Sequence, residues 1–476
     1  MRGAVMANSN QQTDAPSPAD AAQRWVLPVA ILGSSLGFID SSVVNVALPA
    51  IQTDLGAALS TTQWISNGYV LSLASFILLG GSLGDRYGTL RAFAAGLIVF
   101  VLSSAICGLA GSSTLLILAR FLQGAGAAVL VPTSLALISQ AYAGESRGKA
   151  IGTWAGAGGV LMALGPPLGG WLVDHAGWRW IFFINLPVGA LALALATKIR
   201  GSQSGNGARP LDLAGSVLAV AFLGLSAYGL MRIGEGEPGQ GGAALAASLV
   251  FGLVFLRAEQ RSAHPLLPLR LFRNRNFSGA NALTVVLYGG LGGALFILPF
   301  HLINVHAYSA TAAGTALLPF SIILGLGSRA AGGLAGAVGP RLPMTAGPAL
   351  TALGFALLAL SAGQAGYWWG YFPGLTLVGF GMTVTIPPLT TIVFDSAPEE
   401  DSGAASGINN AAARSGSLIA VAALGIAFGG ANMAGLSPGE LSSAYATVMA
   451  FAALAAAASA LLAWAVISPR PVRAKP

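Results

Sequence analysis

Along this chain apolar residues neither alternate with polar ones nor recur at a spacing that would leave one helix face wet. They come in long unbroken stretches, separated by short clusters rich in Gly, Pro, Arg and Asp. A bilayer core takes about 20 residues of α-helix, and a span of that size fits fourteen times. The spans fall at 25–49, 62–82, 91–111, 114–138, 149–173, 178–199, 212–232, 241–258, 277–303, 309–331, 342–362, 366–394, 404–430 and 441–467. A transmembrane barrel would show short alternating segments instead. The pattern therefore predicts an all-α integral membrane protein with fourteen transmembrane helices.

Composition agrees: of 476 residues, 55% are hydrophobic and 8% charged, with a mean hydropathy of +0.73, whereas soluble domains carry about 25% charge. The 65 glycines suit helices whose backbones approach closely. A net charge of +7 invites a nucleic-acid reading, but the basic residues are dispersed among loops and no basic domain carries them. With the amino terminus inside, Arg179 and Arg232 fall outside, Arg120 and Arg414 lie within helices, and every other Lys and Arg is on the inner side. This is the positive-inside bias, and it predicts a multi-pass protein of the cytoplasmic (inner) membrane with both termini cytosolic. Residues 1–24 lack the apolar core of a signal peptide and read as a disordered cytosolic tail, and 468–476 as a second one. The single cysteine, Cys107, excludes an internal disulfide and a cysteine metal site.

The chain also resembles itself. A shift of 255 residues carries Gly124, Gly126, Pro132, Glu145, Gly148 and Gly152 onto Gly379, Gly381, Pro387, Glu400, Gly403 and Gly407. A shift of 250 or 251 carries Pro49, Gly81, Leu83 and Gly88 onto Pro299, Gly332, Leu334 and Gly339. Two parallel six-helix units, 25–200 and 277–467, follow from this, with two extra helices inserted in the linker 201–276. Parallel repeats of this kind hold a substrate site near the midplane at their interface.

Few polar residues lie deep. Asp40 interrupts the first span, and a carboxylate in hydrocarbon usually faces a protein interior or a water-filled path; the competing reading is a structural acid near the surface. Arg120 sits about 9 Å from the outer end of the fourth helix and Asp40 about 13 Å from that of the first, so each is the other's most economical partner, with snorkelling as the alternative for Arg120. Gly81-Ser-Leu-Gly-Asp85-Arg86-Tyr-Gly88-Thr-Leu-Arg91 reads as a tight charged cytoplasmic turn. Gly165-Pro166-Pro167-Leu-Gly169-Gly170 combines a kink with a bare face for a neighbour. Arg414, about 15 Å deep, has no acid in its own helix, leaving carbonyls, the amides of Asn409 or Asn410, or substrate to satisfy it. Trp64, Tyr69 and Tyr288 are candidates for stacking or cation–π contact, or for plain packing.

Taken in order, Asp40-Ser-Ser-Val-Val-Asn45-Val-Ala-Leu-Pro49, the Gly81–Arg91 segment, Arg120-x-x-Gln123-Gly124-x-Gly126, Gly165–Gly170 and Trp178-Arg179-Trp180-Ile-Phe-Phe-Ile-Asn185-Leu-Pro187-Val-Gly189 resemble the fourteen-helix drug:proton antiporters of the major facilitator superfamily. The resemblance covers nearly the whole chain. It implies proton coupling for Asp40 and Arg120, a gating role for Gly81, Asp85, Arg86, Gly88 and Arg91, and an antiport motif at Gly165, Pro166, Gly169 and Gly170. Asn45, Trp64, Tyr69, Gln123, Tyr288 and Arg414 are the substrate-cavity candidates. One departure stands out: Thr89 and Leu90 intervene before Arg91, where the family has basic residues directly after the glycine.

The expected function is export of small amphiphilic compounds by alternating access, including lipophilic monovalent cations, in exchange for protons. No cofactor, metal, nucleic acid or ATP is expected, and the unit is a monomer in the lipid bilayer. A permanent Asp40–Arg120 pair would block the cycle, so the contact must open in at least one state. A narrow exporter of one metabolite or antibiotic is the first alternative, and an importer or uniporter of the same fold the second. A membrane enzyme is disfavoured because His301 and His306 are isolated, and an ATP-driven pump because no phosphate-binding loop motif occurs.

Overall fold

The computed structural model describes residues 24–142, 144–199, 212–263, 265–331, 338–398, 401–428 and 437–469. The tail assigned to 1–24, the 201–211 part of the linker and the end of the chain from 470 lie outside these residues save for Arg24, as do Gly332, Leu334 and Glu400 of the repeat. Among the described residues the helices are α1 (Val26–Asp54), α2 (Leu59–Tyr87), α3 (Thr89–Leu109), α4 (Ser113–Ala141), α5 (Gly144–Ala176), α6 (Trp180–Ala196), α7 (Leu213–Gly234) and α8 (Pro238–Arg261). There follow α9 (Arg275–Asn304), α10 (Ala310–Ser328), α11 (Arg341–Leu360), α12 (Phe372–Asp395), α13 (Ser402–Ala427) and α14 (Pro438–Val466).

Most helices outrun the spans that hydropathy predicts, because hydropathy marks only the apolar centre while the helix continues until a cap or glycine stops it. Ser112 and Ser309 accept the amide hydrogens of Leu115 and Ala312 at 3.3 and 3.1 Å and so start α4 and α10. Ser437 and Glu440 form a capping box at α14. The helix α6 falls short of its predicted span and breaks at Ile184 between Trp180–Phe183 and Asn185–Ala196, as α10 breaks at Leu317. Pro187 has no amide hydrogen to bond back to residue 183, and the nearby Phe182 carbonyl is taken by Ser104 Oγ at 2.8 Å instead.

Within 26–196, α1 packs on α4, α5 and α6, and α4 on α2 and α3. Within 275–466, α9 packs on α12, α13 and α14, and α12 on α10 and α11. These are the same pairings shifted by eight helices, so the internal repeat of the sequence is also a repeat of packing. The groups meet along two seams, α5 on α10 and α2 on α13. Under the repeat α2 corresponds to α10 and α5 to α13, so each seam is the counterpart of the other.

The inserted pair breaks this symmetry. The helices α7 and α8 pack on each other, and α7 lies over α2 and α13, where Leu223, Ala227 and Met231 bury against Leu71, Ala74, Leu418 and Ala422. Gly234 has its Cβ direction 2.7 Å from the Gly425 backbone, a contact that only two glycines permit. One seam is thus covered from outside and the other is not. Exposed leucines and valines on α8 (Leu249, Val250, Leu253, Val254) suit a lipid-facing surface.

Candidate functional site

Asp40 and Arg120 come from α1 and α4, and the packing of those helices joins them. Arg120 Nη1 donates to Asp40 Oδ2 at 2.5 Å. Gln123, one turn beyond Arg120, closes a triangle: its Nε2 donates to Asp40 Oδ1 at 2.9 Å, and its Oε1 accepts from Arg120 Nη1 at 2.7 Å. Arg120 Nε donates to the Ile65 carbonyl at 3.3 Å. The guanidinium carbon stands 4.3 Å from the Tyr69 ring centroid and 5.7 Å from that of Phe182. Tyr69 in turn donates to the Gly37 carbonyl at 3.3 Å, and Asn185 stands beside the same carboxylate, held by Ser104 Oγ at 3.0 Å.

Asp40 is 0% exposed, Arg120 2% and Gln123 0%. A surface acid and a snorkelling arginine are both excluded by these values. Two ions at this depth lose their hydration, and only mutual attraction with nearly complete hydrogen bonding offsets that loss. The triangle supplies both. Its geometry depends on close helix approach: a Cβ on Gly124 would stand 2.2 Å from the Tyr69 carbonyl oxygen, so glycine here lets α4 lie against α2 with Arg120 over Tyr69.

The Gly165–Gly170 segment lies between α1 and α10. A Cβ on Gly169 would fall 3.0 Å from the Val43 carbonyl oxygen, one on Gly170 2.1 Å from that of Ala310, and one on Gly314 2.1 Å from that of Pro166. Toward the face that carries most Lys and Arg, called the basic face below, Gly152, Gly156 and Gly159 of α5 have nothing within 4 Å of a built Cβ. The seam is tight at the opposite face and uncovered toward the basic one.

Asp174 fastens that tight end. From α5 its carboxylate accepts the Ala310 amide at 3.1 Å, the Thr311 amide at 2.8 Å and the Thr311 hydroxyl at 2.6 Å. It thereby places a negative charge on the first turn of α10, where helix amides lack partners. The second seam is pinned at the same face by Gln63 Nε2 on the Val421 carbonyl at 2.7 Å and Asn67 Nδ2 on the Leu418 carbonyl at 3.3 Å. A charged cap of this kind is worth about 1–2 kcal/mol. In an Ala313→Cys reporter made on a Cys107→Ser background, Asp174→Ala is expected to raise the maleimide labelling rate of residue 313 about tenfold. Equal rates would remove Asp174 from closure of the seam.

The remaining sequence candidates divide. Tyr69 and Gln123 belong to the shell of the buried pair. Trp64 packs against the α2–α7–α13 cluster, and Tyr288 against the largest core cluster, which draws on both halves. Asn45 and Arg414 are half-buried and make no side-chain hydrogen bond within the described residues. Asn409 donates to Asn281 and Thr284 at 3.2 and 2.8 Å, and Asn410 to the Ser406 carbonyl at 3.0 Å; neither is bonded to Arg414.

Two expectations need correction. The segment Gly81–Arg91 is not a turn: α2 runs helically through Gly81, Asp85 and Arg86 to Tyr87, and the link is the single residue Gly88, whose φ of 93° is open to glycine. Thr89 already begins α3 and accepts from Gln140 Nε2 at 2.8 Å, while Arg91 is exposed. His301 and His306 are not isolated. Their rings meet at 4.9 Å because the chain reverses after α9 with Ala307 at φ 54°. His301 also stacks on Tyr445 at 3.9 Å, with Nδ1 bonded to the Tyr371 hydroxyl at 2.9 Å and Nε2 to Ser442 Oγ at 3.2 Å. These partners stand on helices distant in sequence, so no local pattern announces them.

Three comparisons bear on this arrangement. The model of the family described as Major Facilitator Superfamily matches residues 30–421. The chain is 36% identical over 398 residues to the multidrug resistance protein Stp of Mycobacterium tuberculosis (strain CDC 1551 / Oshkosh), covering 83% of this chain and 74% of that one. It is 34% identical over 410 residues to the tetracenomycin C resistance and export protein of Streptomyces glaucescens, covering 84% and 75%. Among solved structures, a POT family transporter in complex with 5-aminolevulinic acid superposes with a TM-score of 0.70 at 13% identity, covering 92% of this chain and 94% of that one. The last similarity concerns the fold alone.

Proposed function

Because this chain belongs to the major facilitator superfamily, we propose that it exports small amphiphilic compounds, drugs or antibiotics among them, across the cytoplasmic membrane in exchange for protons. The basic face is then cytosolic, both termini lie there, and the opposite face closed by Asp174, Gln63 and Asn67 is the outer one. Relatives whose names denote multidrug resistance and drug export support the substrate class. A transporter rather than an enzyme follows from the family.

The observation that carries the coupling is the Asp40–Arg120–Gln123 triangle, a wholly buried carboxylate held by groups that leave it only if the helices move. Protonation of Asp40 from the outer side removes one charge of the pair and frees Arg120; deprotonation toward the cytosol restores the contact. Substrate binding between the halves and proton binding at Asp40 then favour opposite openings, which is alternating access. The driving force is the proton gradient, with no cofactor and no ATP, and a monomer contains every part.

Everted membrane vesicles from a host without its own efflux pumps provide the test. With an imposed inward-acid gradient, vesicles carrying the protein are expected to accumulate a drug to which it confers resistance, and collapsing the gradient with an uncoupler is expected to abolish accumulation. Uptake that runs down the drug gradient and ignores the uncoupler would point to a uniporter and overturn the reading.

A further inference from the structure

Arg414 is the one membrane-depth cation whose charge nothing in the described structure answers. It lies about 18 Å from the start of α13 at Ser402, near the middle of the bilayer. No hydrogen bond or ion pair holds it among the described residues. Its place on the helix is fixed by neighbours on the same stripe. A Cβ on Gly407 would meet Leu78 at 2.3 Å, the Leu418 and Val421 carbonyls accept from Asn67 and Gln63, and Leu418 and Ala422 bury against Leu71 and Ala74. Residue 414 falls on that stripe, so it faces α2 across the seam between the halves and not the lipid.

The register then locates it. The helices run antiparallel, with Gln63 beside Val421, Asn67 beside Leu418 and Leu78 beside Gly407. Interpolation sets Arg414 opposite Leu71, one turn from both Asn67 and Ser75. Asn67 Oδ1 and Ser75 Oγ are buried polar atoms without a partner, on side chains 1% and 5% exposed. Buried polar groups are seldom left so. The charge of Arg414 also reaches Tyr69 in one half and Tyr288 in the other. Because Asp40 and Arg120 neutralise each other, the fixed charge here is that of Arg414 alone. In a low-dielectric surrounding an unanswered cation strongly favours an anionic occupant.

We propose that Arg414 is the recognition site for the acidic group of an anionic amphiphile, a carboxylate or sulfonate attached to an apolar body, with Asn67 and Ser75 beside it for hydrogen-bond donors on the same ligand. The assignment rests on the exporter reading and narrows it by adding a substrate class. A planar guanidinium suits two-point binding of such a group, and the two unpartnered atoms take hydrogen bonds from hydroxyl or amide groups nearby on the ligand. The midplane depth argues against a lipid headgroup as the occupant.

The test is binding of fluorescein and of salicylate to purified protein, measured by anisotropy and by equilibrium dialysis. Saturable binding of both to the wild type is expected, weakened at least about tenfold in Arg414→Gln and partly kept in Arg414→Lys, with the melting temperature unchanged. Absence of saturable binding in the wild type, or equal affinity in wild type and Arg414→Gln, would overturn the proposal. So would displacement of fluorescein by inorganic phosphate as effectively as by salicylate, since the apolar body would then contribute nothing. If the melting temperature of Arg414→Gln falls, Arg414→Lys decides: a fold kept with binding lost sinks the charge argument, and a fold kept with binding kept supports it. Binding needs no gradient, so failure of gradient-driven export in vesicles would remove the exporter reading while leaving this result intact.

Discussion

Asp40→Asn is expected to abolish gradient-driven transport, by at least about a hundredfold, while leaving the protein folded in the membrane. Asparagine keeps the shape of the side chain and can still bond Gln123, but it carries no titratable proton. Arg120 then loses its counter-ion yet retains the Ile65 carbonyl, Gln123 Oε1 and the face of Tyr69. Arg120→Met is the more damaging change for stability, because a buried carboxylate left alone costs about 3–5 kcal/mol. The double variant Asp40→Asn/Arg120→Met is expected to recover most of that stability and none of the transport. Proteoliposomes loaded with substrate and given a pH jump measure the first quantity, and thermal unfolding in detergent measures the second. Transport by Asp40→Asn at the wild-type rate would remove Asp40 from the mechanism.

Gly170→Val is expected to abolish vectorial transport by a different route, by preventing closure of the face opposite the basic one. Its Cβ would stand 2.1 Å from the Ala310 carbonyl oxygen and 2.6 Å from the carbonyl carbon. Both atoms are backbone at the start of α10, so the helix itself must move and the Asp174 cap must break with it. The expected phenotype is a protein that reaches the membrane in normal amount, fails to confer resistance, and dissipates an imposed pH gradient faster than the wild type. Gly165→Ala should be milder, since the nearest atom to its Cβ is the Ser42 hydroxyl, 1.9 Å away on a side chain that can rotate. Gly152→Ala, with nothing within 4 Å, is the neutral control. A fully active Gly170→Val would show that the seam does not need to close as tightly as it does here.

Much of this site was legible in the sequence because the cost of charge in hydrocarbon is so high. An acid and an arginine at matching depth have few ways to be satisfied, and α1 and α4 supply the simplest. Gln123 is harder to read: a glutamine one turn from an arginine signals nothing until both oxygens of the acid need a donor. The His301–Tyr445–Tyr371 cluster and the Asp174 cap were not legible at all. Each joins helices far apart in sequence, and neither leaves a local periodicity or a charge imbalance behind.

The membrane-spanning character of the helices and their repeated order were determined by the sequence alone, because a backbone in hydrocarbon must satisfy its hydrogen bonds within each helix and so obeys local composition. Where the helices stop, which glycines meet a neighbour's backbone and how α2 is registered against α13 were decided only by the tertiary structure. Glycine occurs on both the crowded and the open stretches of α5, and only the position of α10 distinguishes Gly170 from Gly152. The same holds for Arg414: the sequence marks it as a deep cation, and the packing of α13 on α2 is what leaves it unanswered between the two halves.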